Sequence, residues 1–299
     1  MIAATVLVCT RGRPQSVLRT VRSLLEHPGS FELLVMDQSD DAATEDLLAS
    51  CAGDPRLRYH RTPVRGKGAS LNQGLRLARA SVVACTDDDC VAPPRWPEDM
   101  ARVLDAHPAA AIVFCNVLPE PHDPTKGYVP AYERRTDRVL RSLADAHAGL
   151  GLGAGMALRR DTILALGGFD EQFGPGARFG SGDDWDICVR ALLAGWQVYD
   201  VASVSVLHHG FRTLAEGRTH ARRDWVAIGA LCAKPIRVGS TSALSFAATL
   251  FGTEALLPPL RDTLKLRKPR GFGRIISFGR GFIGGLRTPM NRKTLMFTP

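Results

Sequence analysis

The chain has 299 residues, of which 45% are apolar, an ordinary share for a globular protein that argues against extensive disorder. This length suits one large α/β domain with an appendage, or two modest domains. No N-terminal stretch resembles a signal peptide and no uninterrupted apolar run reaches about 18 residues, so neither a leader nor a spanning helix is predicted. The seven cysteines are odd in number and scattered, which indicates reduced thiols and a cytosolic location.

Charge is distributed unevenly along the chain. The net charge is +8, but residues 211–299 hold 16 Lys and Arg against 4 Asp and Glu, whereas residues 1–210 hold 22 against 26. Such a basic C-terminal region predicts contact with an anionic partner. It lacks the interleaved aromatic side chains of a single-strand nucleic-acid binder, so a membrane surface is favoured over nucleic acid.

Apolar periodicity predicts alternating strands and helices through the first 118 residues. Strands are expected at 4–9, 31–36, 57–60, 81–85 and 109–114, and helices at 14–26, 44–51, from 66 onward and at 97–106. This alternation is typical of a mostly parallel sheet with helices on both faces. Ligands bind beyond the carboxyl ends of the strands in such sheets. Polar residues follow three strands here, namely Thr10 with Arg11, Asp37, and Asp87 to Asp89.

The pattern becomes looser after Pro119. A polar helix is predicted at 133–147, a glycine-rich loop at 149–155, a short helix at 161–166 and a clear helix at 184–194. The glycine spacing fits neither a P-loop nor a dinucleotide fingerprint. The predicted organisation is a domain over residues 1–213, with halves at about 1–118 and 119–213, followed by a helical basic region at 214–299.

The three consecutive aspartates Asp87, Asp88 and Asp89 are a candidate metal site. Carboxylates held this close raise one another's pKa unless a positive charge neutralises them. A divalent cation would do so, since oxygen ligands suit Mg²⁺ and Mn²⁺. A solvated acidic turn or helix cap is the alternative, and the three residues alone do not separate the two interpretations.

The order of the polar motifs resembles the inverting glycosyltransferases of family 2, which have the GT-A fold. The matching stretches, over roughly residues 3–213, are VLVCTRGRP, ELLVMDQSDD, RGKGASLNQGLRLA, VVACTDDDC, GAGMALRRDTILALGGFDEQF, GSGDDWDICVRALLAGW and VLHHGFRT. Each motif is weak alone, whereas the ordered set is specific. The resemblance implies a Rossmann-like α/β GT-A fold with a mainly helical basic tail.

The resemblance also implies a site for a nucleotide-sugar donor and a divalent cation, Mn²⁺ or Mg²⁺. Asp37 corresponds to the acid that hydrogen-bonds a pyrimidine base, and Asp89 to the residue that contacts the metal. Three consecutive aspartates leave the division of roles among them open. His208 corresponds to a histidine that completes the metal shell, and imidazole suits Mn²⁺ better than Mg²⁺. The other donor-binding positions implied are Thr10, Arg11, Lys67, Asp87 and Asp88.

The second acidic motif, Asp183-Asp184, implies the catalytic base. The second acid has this role in the family, so Asp184 would take the proton of the attacking hydroxyl. A carboxylate at a helix N-terminus is favoured in its charged form, and simple helix capping by Asp183 or Asp184 is the alternative. Asp186 is placed to pair with Arg190 one turn later. The acceptor region implied comprises Gly155, Met156, Asp183 and Trp185. Packing in the core is the more common outcome for an aromatic side chain such as Trp185.

The basic tail allows two interpretations. Residues 245–257 are mildly apolar, but Gly252, Glu254 and Pro258-Pro259 interrupt them, so this segment is predicted to be too short to span a bilayer. A basic patch follows at 265–270. Six apolar residues then fall near one helical face with arginines among them, namely Phe272, Ile275, Ile276, Phe282, Ile283 and Leu286. This helix would either lie in an anionic membrane interface or pack its apolar side onto the catalytic domain, and its glycines weaken both.

Taken together, the residues and the resemblance predict an inverting glycosyltransferase. A UDP- or dTDP-sugar is favoured as donor, with a hydroxyl acceptor on a lipid-linked glycan, a polysaccharide or a small molecule, in cell-surface polysaccharide or glycolipid assembly. The predicted location is cytoplasmic, peripheral at the inner face of the cell membrane. A nucleotidyltransferase of related fold and a non-catalytic nucleotide-binding or membrane-associated protein are the alternatives.

Overall fold

The computed structural model describes residues 2–267, 269 and 271–298, so Lys268 and Arg270 of the predicted basic patch lie outside the described residues. The first part of the chain alternates strands and helices as predicted. Its strands are β1 (Ala4–Thr10), β2 (Phe31–Asp37), β3 (Leu57–Arg61), β4 (Val82–Asp87), β5 (Cys90–Val91) and β6 (Ala110–Pro119). Its helices are α1 (Pro14–Leu25), α2 (Ala43–Leu48, extended by a 3₁₀ turn at Ala49–Cys51), α3 (Lys67–Leu77) and α4 (Trp96–Ala106).

The middle of the chain adds shorter elements. They are β7 (Gly127–Tyr128), β8 (Arg138–Leu140), β9 (Met156–Arg159), α5 (Arg160–Ala165), α6 (Asp183–Leu193), β10 (Gln197–His208) and β11 (Arg212–Thr213), with 3₁₀ turns at Asp145–Ala148 and Gly153–Gly155. The helix predicted at 133–147 is wrong. Arg138 instead lies in β8, which pairs antiparallel with β10, and its Nε donates a 2.6 Å hydrogen bond to the buried Asp200 carboxylate. The polar residues of this segment thus satisfy a buried acid rather than a solvated helix surface.

One nine-stranded sheet organises the molecule. Its order is β3-β2-β1-β4-β9-β6-β10-β5, and β8 pairs with another part of β10. The strands β3, β2, β1 and β4 are parallel, as predicted, but β9 lies antiparallel between β4 and β6. The sheet is therefore mixed, and the polar residues that end β1, β2 and β4 meet at one edge, as the α/β prediction requires.

Alternating side chains of the strands build an apolar core on each face of the sheet. Along β1, Leu7 joins one cluster while Val6 and Val8 join the other, as expected from the two-residue period of a strand. Helices α1 and α4 cover one face, whereas α3 and α6 cover the other. The predicted arrangement of helices on both faces is confirmed.

The tail is helical, as predicted. It comprises α7 (Leu214–Ile236), α8 (Thr241–Leu250), a π-helical turn (Phe251–Leu256), α9 (Leu257–Leu264), α10 (Phe272–Arg287) and a small hairpin of β12 (Met290–Asn291) and β13 (Met296–Phe297). A capping box starts α7, because Thr213 and Glu216 bond each other's backbone N–H groups. Trp225, Phe246 and Phe297 from the tail lie in the same apolar cluster as Leu7 of β1. The core is thus continuous across the predicted boundary at residue 213, and the division there stays a prediction.

One prediction about the tail is corrected. Among the described residues, the helical segment Thr241–Leu264 has 24 residues and a mean hydropathy of 1.2, which is long and apolar enough to cross a membrane by length and composition alone. Pro258 and Pro259 do not end it, because they follow a π-helical turn and occupy the first turn of α9, where missing N–H groups are tolerated. Only 33% of its apolar window is buried in the protein.

Candidate active site

The ends of β1 and β4 bring the first polar motifs together. Cys9 lies beside Asp87 in this parallel pair, and just beyond it the Thr10 hydroxyl donates a 2.7 Å hydrogen bond to Asp88 Oδ2. A cleft of about 280 Å³ opens here. Its lining residues are Cys9, Thr10, Arg11, Arg13, Gln38, Gly66, Lys67, Asp87, Asp88, Asp89, Pro175, Gly176, His208 and Arg212. The cleft therefore contains every predicted donor-binding and metal residue except Asp37.

Lys67 supplies a positive charge at the N-terminus of α3. The turn before it depends on Gly66, whose φ of +96° lies in the left-handed region. Lys67 Nζ lies 2.5 Å from Asp87 Oδ1. Burial disfavours the charged amine, but the negative charges of Asp87 and Asp183 outweigh it and raise the pKa of Lys67 well above its ordinary value. A fixed cation at a helix N-terminus favours an anionic ligand such as a diphosphate.

Arg13 was not among the residues predicted for the site, yet it bridges two of the aspartates. Its Nη1 lies 2.6 Å from Asp88 Oδ1 and its Nη2 lies 2.7 Å from Asp89 Oδ2. Burial raises the pKa of Asp88 to about 6, although the charge of Arg13 opposes this. Burial also acts to raise the pKa of Asp89, but hydrogen bonds from His208 and Arg13 hold it well below its usual range. Asp89 is thus the more strongly ionised carboxylate of the two.

His208 faces Asp89 from the end of β10. Antiparallel pairing of β10 with β5 sets His208 beside Cys90, and His208 Nε2 lies 3.2 Å from Asp89 Oδ1. The other ring nitrogen, Nδ1, lies 2.8 Å from the Pro130 carbonyl oxygen. A proton assigned to Nδ1 for this bond leaves the Nε2 lone pair available to a cation. Burial lowers the pKa of His208, but the bond to Asp89 raises it further, so the net shift is upward.

The space beside Asp89 and His208 fits a divalent cation. Two ligands bound at about 2.1 Å and at right angles are about 3 Å apart, close to the observed Oδ1–Nε2 separation. Gly210 borders this space, because a Cβ there would lie 2.6 Å from His208 Nε2 and 2.8 Å from Asp89 Oδ2. Cys90 Sγ lies within 4.8 Å of both ligand atoms. Burial raises the pKa of the Cys90 thiol and keeps it protonated, so the oxygen and nitrogen atoms suit Mn²⁺ better than a thiolate-bound ion.

Asp184 lies at the start of α6, after Gly182. Its Oδ2 accepts a 2.9 Å hydrogen bond from the Gly153 N–H, and its Oδ1 accepts one of 2.8 Å from the Trp185 N–H. Burial raises the pKa of Asp184 to about 7, and the negative charge of Asp183 adds to this shift. The sequence suggested that the helix N-terminus would favour the charged form of this carboxyl. The effect of burial on its pKa is larger, so the carboxyl is not strongly acidic. A carboxyl that titrates near neutral pH is well matched to general-base catalysis.

A buried ionic network supports α6 from behind. Lys234 of α7 is 1% exposed, and its Nζ lies 2.5 Å from Asp170 Oδ2 and 2.6 Å from Asp186 Oδ1. The Phe297 N–H of β13 donates a 2.7 Å bond to the same Asp170 oxygen. The predicted pairing of Asp186 with Arg190 is confirmed, with 2.8 Å between Oδ2 and Nε. Through these bonds the tail fixes two parts of the chain. One is Asp170, which precedes the cleft residues Pro175 and Gly176, and the other is α6, which carries Asp184.

Asp37 lies at the end of β2 but does not line the cleft. It is fully buried, its Oδ1 accepts bonds from the backbone and hydroxyl of Ser39, and its Oδ2 accepts one from the Tyr59 hydroxyl. The neighbouring Gln38 reaches the cleft wall instead. The predicted contact of Asp37 with a base stays a prediction.

None of the predicted acceptor residues lines the cleft. Met156 is 1% exposed in β9, and a Cβ on Gly155 would lie 2.7 Å from Cys115 Sγ. Trp185 is partly buried against the apolar core. Asp183 is also buried, and burial raises its pKa. The acceptor roles of these four residues stay predictions.

The comparisons with known proteins agree with this geometry. Residues 5–166, more than half of the chain, match the family described as glycosyl transferase family 2. The chain belongs to this family. Its β-strand ends, aspartate cluster and α3 N-terminus all lie within the matched residues, whereas α6 and His208 follow them.

Two curated relatives are named beta-monoglucosyldiacylglycerol synthase. The protein from Trichormus variabilis is 24% identical and that from Nostoc sp. is 23% identical, each over 236 residues. Both alignments cover 75% of this chain and 48% of the relative. The chain thus spans about half the length of the curated relatives that it matches.

Solved structures share the fold at low sequence identity. Residues 1–349 of TarS from S. aureus match with a TM-score of 0.65 and 14% identity, over 95% of this chain and 81% of that one. The mannosyltransferase PcManGT from Pyrobaculum calidifontis, in complex with GDP-Man and Mn²⁺, matches with a TM-score of 0.62 and 20% identity, over 95% and 87%. These likenesses establish the GT-A fold.

Proposed function

We propose that the chain is an inverting glycosyltransferase that moves a sugar from a nucleoside diphosphate donor to a hydroxyl of a glycolipid acceptor. The observation that carries the proposal is a single cleft that combines Lys67 with the pair Asp89 and His208. The cations of the cleft suit a diphosphate, and the space beside Gly210 suits a metal ion that would bind it. The names of the curated relatives support a lipid acceptor.

Each side chain has a definite task in this proposal. Asp89 and His208 would hold Mn²⁺, or Mg²⁺ less favourably, and the bound ion would neutralise the charge that develops on the leaving diphosphate. Lys67 and Arg13 would add fixed positive charge from the two sides of the cleft. Thr10, Arg11, Asp87 and Asp88 would position the nucleotide and its ribose. A UDP- or dTDP-sugar is favoured through the predicted role of Asp37.

Asp184 would act as the base. Its carboxylate is held by the Gly153 and Trp185 N–H groups, so that one oxygen lone pair can take the proton of the acceptor hydroxyl. The oxygen of that hydroxyl then attacks the anomeric carbon as the bond to the diphosphate oxygen breaks, which inverts the configuration in one displacement. Burial near Asp183 would help to place the proton on Asp184 at neutral pH.

The proposed location is the cytoplasmic side of the membrane. All seven cysteines are free thiols, as expected for a reducing compartment. The acceptor would then be a glycolipid or lipid-linked glycan within reach of a peripheral enzyme.

A panel of nucleotide sugars tests the proposal. Thermal unfolding is measured with UDP-, dTDP- and GDP-sugars, each with and without Mn²⁺, because a ligand that binds the folded state raises the unfolding temperature with its affinity. We expect a metal-dependent shift with one nucleotide class, and release of that nucleoside diphosphate when lipid extract is added. A shift without any turnover would support a non-catalytic nucleotide-binding protein. Formation of nucleoside triphosphate and sugar 1-phosphate from the nucleotide sugar and added pyrophosphate would support a nucleotidyltransferase.

A further inference from the structure

The two faces of α10 are used in an unusual way. Its small residues face α7. A Cβ atom added to Gly281 would lie 1.9 Å from the carbonyl oxygen of Val226, and a Cβ atom added to Gly285 would lie 2.8 Å from the carbonyl oxygen of Ala230. From the other side, a Cβ on Gly229 would lie 2.2 Å from the Phe278 carbonyl oxygen. The two backbones therefore approach so closely that only glycine fits at these crossings.

Part of the apolar surface of α10 points outward, whereas Ile275, Phe278 and Phe282 pack against the core. Phe272 is 56% exposed, Ile276 64% and Ile283 48%. Their spacing of four and seven residues places them along one stripe of the helix. A helix on the surface of a water-soluble domain normally turns its large apolar residues inward. Small residues at the contact and large apolar residues outside are instead characteristic of helices that meet lipid.

The neighbouring helix α9 presents a second apolar stripe. Leu257, Leu260 and Leu264 are spaced by three and four residues and are 38%, 55% and 84% exposed. A Cβ on Gly271, just before α10, would lie 3.7 Å from Pro259 of α9, so the two helices are adjacent. We define the tail surface as six exposed apolar side chains that form the two stripes of these helices, namely Leu257, Leu260, Leu264, Phe272, Ile276 and Ile283.

Positive charge accompanies the tail surface. Among the described residues from 251 to 287, the exposed basic side chains are those of Arg261, Lys265, Arg267, Arg280 and Arg287. Two acids lie among the described residues from 251 to 287: Asp262 is 7% exposed, and Glu254 lies within 4.0 Å of Arg274. An anionic bilayer complements this charge, whereas a second copy of the same surface would bring like charges together.

We propose that the tail surface binds the interface of an anionic lipid bilayer. The Leu, Phe and Ile side chains would enter the boundary between headgroups and acyl chains, and the arginines would contact lipid phosphates. Because α10 is fixed to α7 by glycine packing, the surface is formed before binding and loses little conformational entropy. This inference does not depend on the proposed transfer reaction. If both hold, binding of the tail surface to the bilayer would bring the cleft close to a lipid acceptor.

Vesicle sedimentation tests the proposal on the full chain, without metal or nucleotide. Vesicles of phosphatidylcholine alone are compared with vesicles that contain phosphatidylglycerol, at low and high salt. We expect binding to the anionic vesicles that weakens with salt, and much weaker binding to the neutral ones. Arg280→Gln with Arg287→Gln should weaken anionic-vesicle binding about 30-fold, at about 1 kcal/mol for each basic residue near the surface.

The apolar contribution is tested separately. Phe272→Ser, Ile276→Ser and Ile283→Ser combined should weaken binding more than about tenfold at every salt concentration, since binding scales with the apolar area inserted. The charge control is Arg19→Gln with Arg76→Gln, two exposed arginines of α1 and α3, and the apolar control is the exposed Ile2→Ser. These controls should bind like the wild type.

Three outcomes would overturn the proposal. The first is that the wild type does not bind anionic vesicles. The second is that the control variants lose as much vesicle binding as the tail variants. The third is that the protein is a dimer in solution and that Ile276→Ser dissociates it. Nucleotide-sugar hydrolysis without vesicles is measured in parallel for all variants. Lost vesicle binding with retained hydrolysis thus separates a failure of this inference from a failure of the proposed function.

Discussion

Asp184 illustrates at the residue scale how one side chain has opposite pH requirements in folding and in catalysis. Its pKa is about 7 in the folded chain, against about 4 for a solvated aspartate. Between these values the folded state holds more protons, so this group's contribution to stability is complete below about pH 4 and is lost as the pH rises through 7. The proposed base needs the ionised form. We therefore expect turnover to rise about tenfold per pH unit below pH 7, while the unfolding temperature falls over the same interval.

The variant Asp184→Asn checks this assignment. Turnover should fall by about 10²- to 10⁴-fold, and the part of the pH-dependent stability that comes from Asp184 should disappear. The thermal shift caused by the nucleotide sugar is the control and should be unchanged. Wild-type turnover in this variant would exclude Asp184 as the base.

Gly210 provides a second prediction for a single residue. In Gly210→Ala, the new methyl group would lie within 3 Å of both His208 Nε2 and Asp89 Oδ2 and would compete with the cation for space. We expect the Mn²⁺ concentration for half-maximal thermal shift to rise at least tenfold. Gly53→Ala is the matched control, because a Cβ there has no neighbour within 4 Å. Unchanged Mn²⁺ dependence in Gly210→Ala would place the cation elsewhere.

Most of the cleft could be predicted from the sequence, since a family motif marks each predicted donor residue, at a strand end or, for Lys67, at the start of α3. Arg13 and Gly210 could not be identified in this way. Arg13 contacts Asp88 and Asp89, 75 and 76 residues away along the chain, and no local pattern encodes that distance. Gly210 matters only because β10 returns beside β5. The position of Asp37 could not be predicted either. Asp37 does not line the cleft, whereas Gln38 does, because the Asp37 carboxylate accepts hydrogen bonds from Ser39 and Tyr59. An apolar strand pattern does not show these bonds.

At the scale of elements, the contact between α7 and α10 explains why the tail was ambiguous from sequence. Its glycines indicated a weak helix, but they are the residues that allow the two helices to touch. Likewise, periodicity predicted β1 to β4 and α1 to α4 closely, because each has a simple apolar pattern. It failed at 133–147, where burial against Asp200 replaced solvation, and at Pro258-Pro259, where a π-helical turn accommodates both prolines.

Two glycines of α10 give a matched test of this contact. Gly281→Ala would place a methyl group 1.9 Å from the Val226 carbonyl oxygen, so the helices must separate. We expect a loss of about 1–3 kcal/mol in the free energy of unfolding. Gly279→Ala, two residues earlier, meets no atom within 4 Å and should stabilise by up to about 1 kcal/mol through helix propensity. Urea denaturation measures both, and equal effects would contradict the packing role of Gly281.

At the scale of the whole molecule, Lys234 connects the tail to Asp170 and to Asp186 of α6. Replacing it by Met would leave Asp170 and Asp186 buried without their shared cation, so we expect a loss of about 3–5 kcal/mol. Lys293→Met removes an exposed lysine of the tail and should change stability by less than about 0.5 kcal/mol. Denaturant unfolding compares the two. Similar values for both variants would show that the tail folds independently of the sheet.

The bridge that Arg13 makes to Asp88 and Asp89 has a consequence for the order of binding. A cation that binds Asp89 must share that carboxylate with a guanidinium, and releasing the guanidinium is favourable only if it finds another anion. A donor diphosphate provides one, so metal and donor should each increase the affinity of the other by the same factor. Calorimetric titration should show weak Mn²⁺ binding alone and tighter binding with nucleotide sugar. In Arg13→Gln the mutual increase in affinity should be smaller, because only the direct contact between the metal ion and the diphosphate would then couple the two ligands.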